Sequence, residues 1–122
     1  LRVLAVDDNP MNQLVLRTLL EQLGVETHMA SDGAQALTAW GRETWDVILM
    51  DVQMPVMDGL TATREIRRLE AETGRARTPI VALTANAMAH HQAQYLAAGM
   101  DAMTPKPIEL ERLVATLEQV LV

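Results

Sequence analysis

Five short apolar runs alternate along this chain with five stretches whose apolar residues recur at helical spacing. Arg2–Val6 is the first run and predicts a strand. Asn9-Pro10 follows as a helix start, because Asn caps well and Pro fits the first turn. Met11, Leu14, Val15, Leu19 and Leu23 then recur at helical spacing, and Gly24 stops the helix. Val25–Ala30 is apolar at alternate positions, a second strand. Ser31 or Asp32 caps a second helix carrying Ala36, Leu37 and Trp40. Val47–Met50 is apolar without a break, as in a strand covered on both faces, and Asp51 ends it. Asp58-Gly59 opens a third helix with Leu60, Ile66 and Leu69, and 73–78 reads as a polar loop. Pro79–Leu83 is a fourth strand, again apolar throughout. Asn86 can cap a fourth helix that ends near Gly99. Ala102–Thr104 is a brief fifth strand, and Leu110, Leu113, Val114, Leu117 and Leu121 make a last amphipathic helix.

Strands and helices that alternate through short connections predict an α/β fold: a parallel sheet with helices on both faces. The pattern alone does not give the strand order. The chain has 122 residues, enough for one domain with one real core, and no linker, repeat or low-complexity tract divides it. Residues 1–122 are therefore read as a single domain.

Composition narrows the chemistry. Trp40, Trp45 and Tyr95 are the aromatic residues and Phe is absent, so the core must be aliphatic. Cysteine is absent, which excludes disulfides, thiolate metal sites and thiol catalysis and is compatible with the cytoplasm. The net charge of −6 disfavours nucleic acid and anionic membranes as direct partners. No apolar stretch approaches the roughly 20 residues of a membrane span. The chain starts at Leu1 without an initiator Met, and is expected to be excised from a longer protein.

Asp7, Asp8, Asp51, Thr84 and Lys106 each stand at or just after the end of an apolar run. In a parallel α/β sheet these strand ends share one edge, where ligands bind. Adjacent carboxylates such as Asp7-Asp8 repel each other and would repel bare phosphate; a hard cation of Mg²⁺ size resolves both problems. The bland alternative is one helix cap and one solvated charge. A carboxylate closing a fully apolar strand is costly unless a cation or metal faces it, so Asp51 can be a metal ligand, a nucleophile or both. Thr84 can hold a phosphate oxygen or simply start the next turn. Lys106 is the only lysine beside nine arginines, a compact charge suited to phosphate or carboxylate. Each assignment is weak alone; together they form a specific constellation.

Those residues sit in segments that resemble the response-regulator receiver domains of two-component signalling. The segments are Val6-Asp7-Asp8-Asn9, then Ile48-Leu49-Met50-Asp51-Val52-Gln53-Met54-Pro55-Val56-Met57-Asp58-Gly59, then Ala82-Leu83-Thr84-Ala85-Asn86. Gly99-Met100-Asp101-Ala102 and Lys106-Pro107-Ile108 complete the series, which covers nearly the whole chain in order. Asn9-Pro10-Met11-Asn12 and Leu83-Thr84-Ala85-Asn86-Ala87 further resemble receivers attached to hybrid sensor histidine kinases.

The resemblance implies a flavodoxin-like (βα)5 sandwich with strand order 2-1-3-4-5, its site at the switch point between strands one and three. It implies a phosphoacceptor switch, not an enzyme in its own right, which assists its own phosphorylation and dephosphorylation. Asp51 would take a phosphoryl group from a phosphohistidine on a histidine kinase or histidine phosphotransfer domain. Asp8, Asp51 and the Gln53 backbone carbonyl would bind Mg²⁺ directly, and Asp7 through water. Thr84, the Ala85 N–H and Lys106 would hold phosphate oxygens. Gln53 and Asn86 would flank attacking water and tune phosphate lifetime. The implied location is cytoplasmic, if need be as the cytoplasmic part of a membrane-bound kinase, and a monomer is the default. A cis Lys106-Pro107 bond is also implied.

Two positions depart from the family. Met103 stands three residues before the lysine, where receivers usually carry Tyr or Phe, so a ring-flip switch of that form is impossible. Either Met103 moves instead, or the signal travels mainly through the loop after Thr84. Pro105 fits an edge strand only. His28, His90 and His91 are read as without function, the last two on a solvated stretch of helix four. Rival readings are a receiver-like module that signals without phosphate and an aspartate-nucleophile phosphatase of the haloacid-dehalogenase type. The phosphatase would want a second Asp where Gln53 stands, and a flavin binder would want Ser, Thr and Gly in place of Asp7-Asp8.

Overall fold

In the computed structural model, residues 1–52, 57–85 and 89–121 are described, the side chains of 89 and 90 excepted. Five parallel strands run β1 (Arg2–Val6), β2 (Glu26–Ala30), β3 (Val47–Asp51), β4 (Ile80–Thr84) and β5 (Ala102–Pro105). Their order across the sheet is β2-β1-β3-β4-β5, as the resemblance implies. Five helices connect and flank them: α1 (Pro10–Gln22), α2 (Gly33–Arg42), α3 (Gly59–Thr73), α4 (Ala89–Ala98) and α5 (Leu110–Leu121). Each βαβ crossover needs a dozen or more residues, and the spacing of the apolar runs supplies it.

The central strands β3 and β4 are buried along their whole length, which is why they read as unbroken apolar runs. Alternate side chains feed two cores. Leu4, Val6, Ile48, Met50, Ile80 and Ala82 face Trp40 of α2, Ile66 of α3 and Tyr95 of α4. Val3, Ala5, Val47, Leu49, Val81 and Leu83 face Leu16 and Leu20 of α1 and Leu113 and Leu117 of α5. β5 is an edge, as Pro105 requires.

The helix starts follow their caps. The Asn9 side chain accepts from the Met11 and Asn12 amides at 2.8 and 3.3 Å. Asp32, not Ser31, caps α2 by accepting from the Gln35 amide at 2.8 Å, and Asp58 caps α3 in the same way from Thr61. Gly74 closes α3 in the left-handed region at φ 72°, a conformation that glycine adopts without steric cost.

Three expectations change. The α1 face turned to the sheet carries Leu16 and Leu20, while Met11, Leu14 and Val15 are exposed. Six of its positions, Met11, Leu14, Val15, Leu16, Leu19 and Leu20, are Met, Leu or Val, so helical periodicity alone admits more than one inward face. The segment 73–78 is not simply polar loop: Thr73 still belongs to α3, and Thr78 is buried. His91 is partly buried, its ring 6.5 Å from that of Tyr95, rather than solvated.

At the sheet end remote from the strand C-termini, Arg67 gathers several elements. It donates to Glu70 Oε1, to the Thr78 carbonyl and to Asp101 Oδ2, each at 2.8 Å, and to the Gly99 carbonyl at 2.9 Å. Glu70 and Asp101 in turn accept from the Thr78 and Ile80 amides.

Candidate functional site

β1 and β3 are neighbours, and their C-terminal ends deliver Asp7, Asp8 and Asp51 to one place. Each carboxylate offers an oxygen within 4.8 Å of the others. Asp7 is fully buried and Asp51 nearly so, while Asp8 is exposed. β4 adds Thr84, and the turn after β5 adds Lys106, whose amide donates to the Thr84 carbonyl at 2.7 Å. Asp8, Asn9, Asn12, Asp51, Thr84, Ala85 and Lys106 line one cleft of about 170 Å³. The Lys106-Pro107 bond is cis, as the resemblance implies.

Charge organises this cleft. The Lys106 ammonium lies 3.3 Å from Asp7 Oδ2 and 3.2 Å from Asp51 Oδ1, so it spans the two most buried carboxylates. Asp7 Oδ1 accepts from the Asn9 amide at 2.9 Å, and the Asp7 carbonyl accepts from Gln13 Nε2 at 2.6 Å. Asp7 Oδ2 is buried and has no hydrogen-bond partner among the described residues beyond its ion pair. Three carboxylates against one ammonium leave a formal excess of negative charge in a poorly solvated place. The all-oxygen donor set, in part unsatisfied, fits a hard divalent cation.

The backbone around Asp51 is closely packed. The Gly59 amide donates to the Val52 carbonyl at 3.1 Å, and a Cβ on Gly59 would run into the Asp51 carbonyl. The start of α3 therefore fixes the strand end that carries the carboxylate.

The five residues expected from sequence all come together, with Ala85 beside them. Gln53 and Asn86, expected to tune lifetime, lie outside the described residues. Met103 is partly buried and packs against the cluster that includes Tyr95. Sequence reasoning missed Tyr95, whose hydroxyl is 2.8 Å from Thr84 Oγ1. No spacing rule links a helix position to a strand end eleven residues earlier; the orientation of α4 makes that contact. It also missed Asn12 and Gln13, which turn their amides towards Asp7 from the first turn of α1.

A family model described as the response regulator receiver domain matches residues 3–118. The chain belongs to the receiver-domain family. Among curated relatives, the sensor protein GacS of Pseudomonas syringae pv. syringae is 50% identical over 92% of this receiver and 12% of that protein. The hybrid signal transduction histidine kinase G of Dictyostelium discoideum is 44% identical over 93% of the receiver and 3% of its own length. The receiver thus spans a small fraction of the relatives it matches. The solved receiver domain of a Pseudomonas aeruginosa PAO1 sensor histidine kinase, with a magnesium ion coordinated in its active-site cleft, is 41% identical. Its TM-score is 0.87, with 98% of this chain and 96% of that one covered. A chain from the Saccharomyces cerevisiae co-crystal of the phosphotransfer protein Ypd1 with the Ssk1 receiver domain is 30% identical. Its TM-score is 0.93, over 98% of this receiver and 87% of that chain. No helix among the described residues is long and apolar enough to cross a membrane.

Proposed function

We propose that this receiver is a phosphoacceptor switch in which Asp51 takes a phosphoryl group from a phosphohistidine. The observation that carries the reading is the joint placement of Asp7, Asp8, Asp51 and Lys106: two buried carboxylates and an exposed one, an ammonium bridging the buried two, and an adjoining cleft. The phosphorus–nitrogen bond of the donor breaks as an Asp51 carboxylate oxygen forms the new bond to phosphorus, giving an acyl phosphate and releasing the imidazole.

Phosphoryl transfer depends on positioning and on neutralising charge over the equatorial oxygens. Lys106 would leave its carboxylate partners for a phosphoryl oxygen. Thr84 and the Ala85 N–H, from residues that line the cleft, would hold others. Asp8, Asp51 and the Gln53 carbonyl would hold Mg²⁺, with Asp7 acting through water; the ion would offset the excess negative charge and screen the incoming phosphoryl group. Support comes from Asp7 Oδ2, buried and without a hydrogen-bond partner among the described residues beyond its ion pair, and from the magnesium-bound relative. Gln53 and Asn86 would set how readily water attacks the acyl phosphate.

The donor would be a histidine kinase or a histidine phosphotransfer domain. Met11, Leu14 and Val15 support this: they are 68%, 58% and 42% exposed and form an apolar stripe on α1, the helix that starts at the cleft. Such a stripe suits the apolar face of a partner helix. The whole chain would act as one receiver unit within a longer hybrid kinase, monomeric and cytoplasmic, without contact to nucleic acid or membrane.

Incubation with a phosphorylated histidine phosphotransfer domain, its phosphate radiolabelled, tests this. The label should move to the receiver in the presence of Mg²⁺ and fail to move to Asp51→Asn. Label retained by the donor in both cases would refute the reading for that donor class.

A further inference from the structure

Thr84 and Tyr95 share a hydrogen bond of 2.8 Å between hydroxyls that are both nearly buried. The alternation of the strands gives this bond a direction. Ile80 and Ala82 belong to the core that includes Tyr95, and Thr84 follows them at the same parity on β4. Val47 and Leu49 belong to the opposite core, and Asp51 follows them on β3. The Thr84 side chain is thus rooted on the α2–α4 face, and the Asp51 side chain on the α1–α5 face. A phosphoryl oxygen only accepts hydrogen bonds, so Thr84 would have to offer it the one proton of its hydroxyl. Either hydroxyl can be the donor in the bond to Tyr95, but Thr84 is rooted on the face opposite Asp51, so to reach the phosphoryl group its hydroxyl must swing towards the cleft.

We infer that Tyr95 is a positioning residue: it holds the Thr84 hydroxyl on the α4 side until a phosphoryl group on Asp51 draws it away, and that exchange carries the signal into α4. The inference rests on the phosphoacceptor reading above. On β5, Met103 has neither ring nor polar tip with which to take this role. A buried phenol that gives up this bond loses part of its hydrogen bonding, which favours a shift of the ring or its helix. Room exists beside it, in a cavity of about 250 Å³ lined by Tyr95, Leu96, Met100 and Met103 among others. The switch aromatic of this receiver therefore comes from α4 rather than from the edge strand.

Tyr95 is the only tyrosine, so ring-labelled protein gives one tyrosine signal to follow by NMR. Beryllofluoride with Mg²⁺ serves as the phosphoryl mimic, and calorimetric titration measures its uptake. On saturation, the Tyr95 signal of the wild-type protein should shift. Tyr95→Phe keeps the ring and should reach half-saturation at about fivefold lower beryllofluoride, the size of one ordinary hydrogen bond. Its Mg²⁺ affinity should be unchanged, and on a Thr84→Val background the gain should vanish. An unmoved tyrosine signal in saturated wild-type protein would overturn the inference without recourse to any variant. So would Tyr95→Phe binding no better than wild type. If wild type takes up no beryllofluoride, the phosphoacceptor reading falls, and this inference with it.

Discussion

One ammonium and three carboxylates meet at the cleft, and their balance decides what single substitutions do there. Lys106 is partly exposed, whereas the Asp7 and Asp51 side chains it bridges are almost fully buried. Lys106→Met leaves those two facing each other without a cation. Its metal-free form should lose about 2 kcal/mol, less than a wholly buried pair would because water reaches the ammonium. Thermal unfolding with and without Mg²⁺ checks this: the ion should recover part of the loss. Asp8→Asn should do the reverse. Asp8 is exposed and adds only repulsion when no metal is present, so the metal-free melting temperature should hold or rise slightly. The stabilisation by Mg²⁺, which follows from binding to the folded state alone, should largely disappear. Asp7, Asp8, Asp51, Thr84 and Lys106 were legible in the sequence because a charged or polar residue closing an apolar run marks a strand end. Tyr95 was not legible, because the rotation of α4 about its axis is a tertiary property. Its apolar neighbours fit several orientations equally well.

The elements differ in how plainly the sequence announces them. β3 and β4 are covered on both faces and read as unbroken apolar runs, so their place was clear. α1 was found as a helix, but of the apolar positions read at helical spacing Leu19 and Leu23 pack against the core while Met11, Leu14 and Val15 are exposed, since Leu14 and Leu16 are equally apolar and only the sheet distinguishes them. Leu16 is fully buried and Leu14 is 58% exposed. Leu16→Ala should therefore cost about 3 kcal/mol and Leu14→Ala less than about 0.5 kcal/mol in denaturant unfolding. Leu14→Ala should instead slow transfer from a phosphohistidine protein while leaving phosphorylation by acetyl phosphate intact. The Arg67 network was invisible too, because its partners are spread over 34 positions of sequence. Arg67→Met would strand the buried Glu70 carboxylate. A loss of about 3 kcal/mol is expected, with faster hydrogen exchange at the Thr78 and Ile80 amides that Glu70 and Asp101 hold. Comparable stability and unchanged exchange would show that Thr78 alone satisfies Glu70.

At the scale of the whole molecule, the two cores and the acidic cleft divide the work. The cores on either face fix the strand order, and that order brings the ends of β1 and β3 together. Alternation of elements announced a parallel α/β sheet, but the order 2-1-3-4-5 came only through resemblance, since pattern carries no information on which strands pair. The network at the opposite end braces the sheet and leaves the cleft end to carry the chemistry. The central claim is that this scaffold exists to make Asp51 a metal-assisted phosphoacceptor. Intact-protein mass spectrometry after incubation with acetyl phosphate tests it most directly, run with Mg²⁺, with chelator, and with Asp51→Asn. One added phosphoryl mass that requires both Mg²⁺ and Asp51 is the predicted result. A phosphoryl mass that persists in Asp51→Asn or in chelator, or folded Mg²⁺-bound protein that gains none, would contradict the claim.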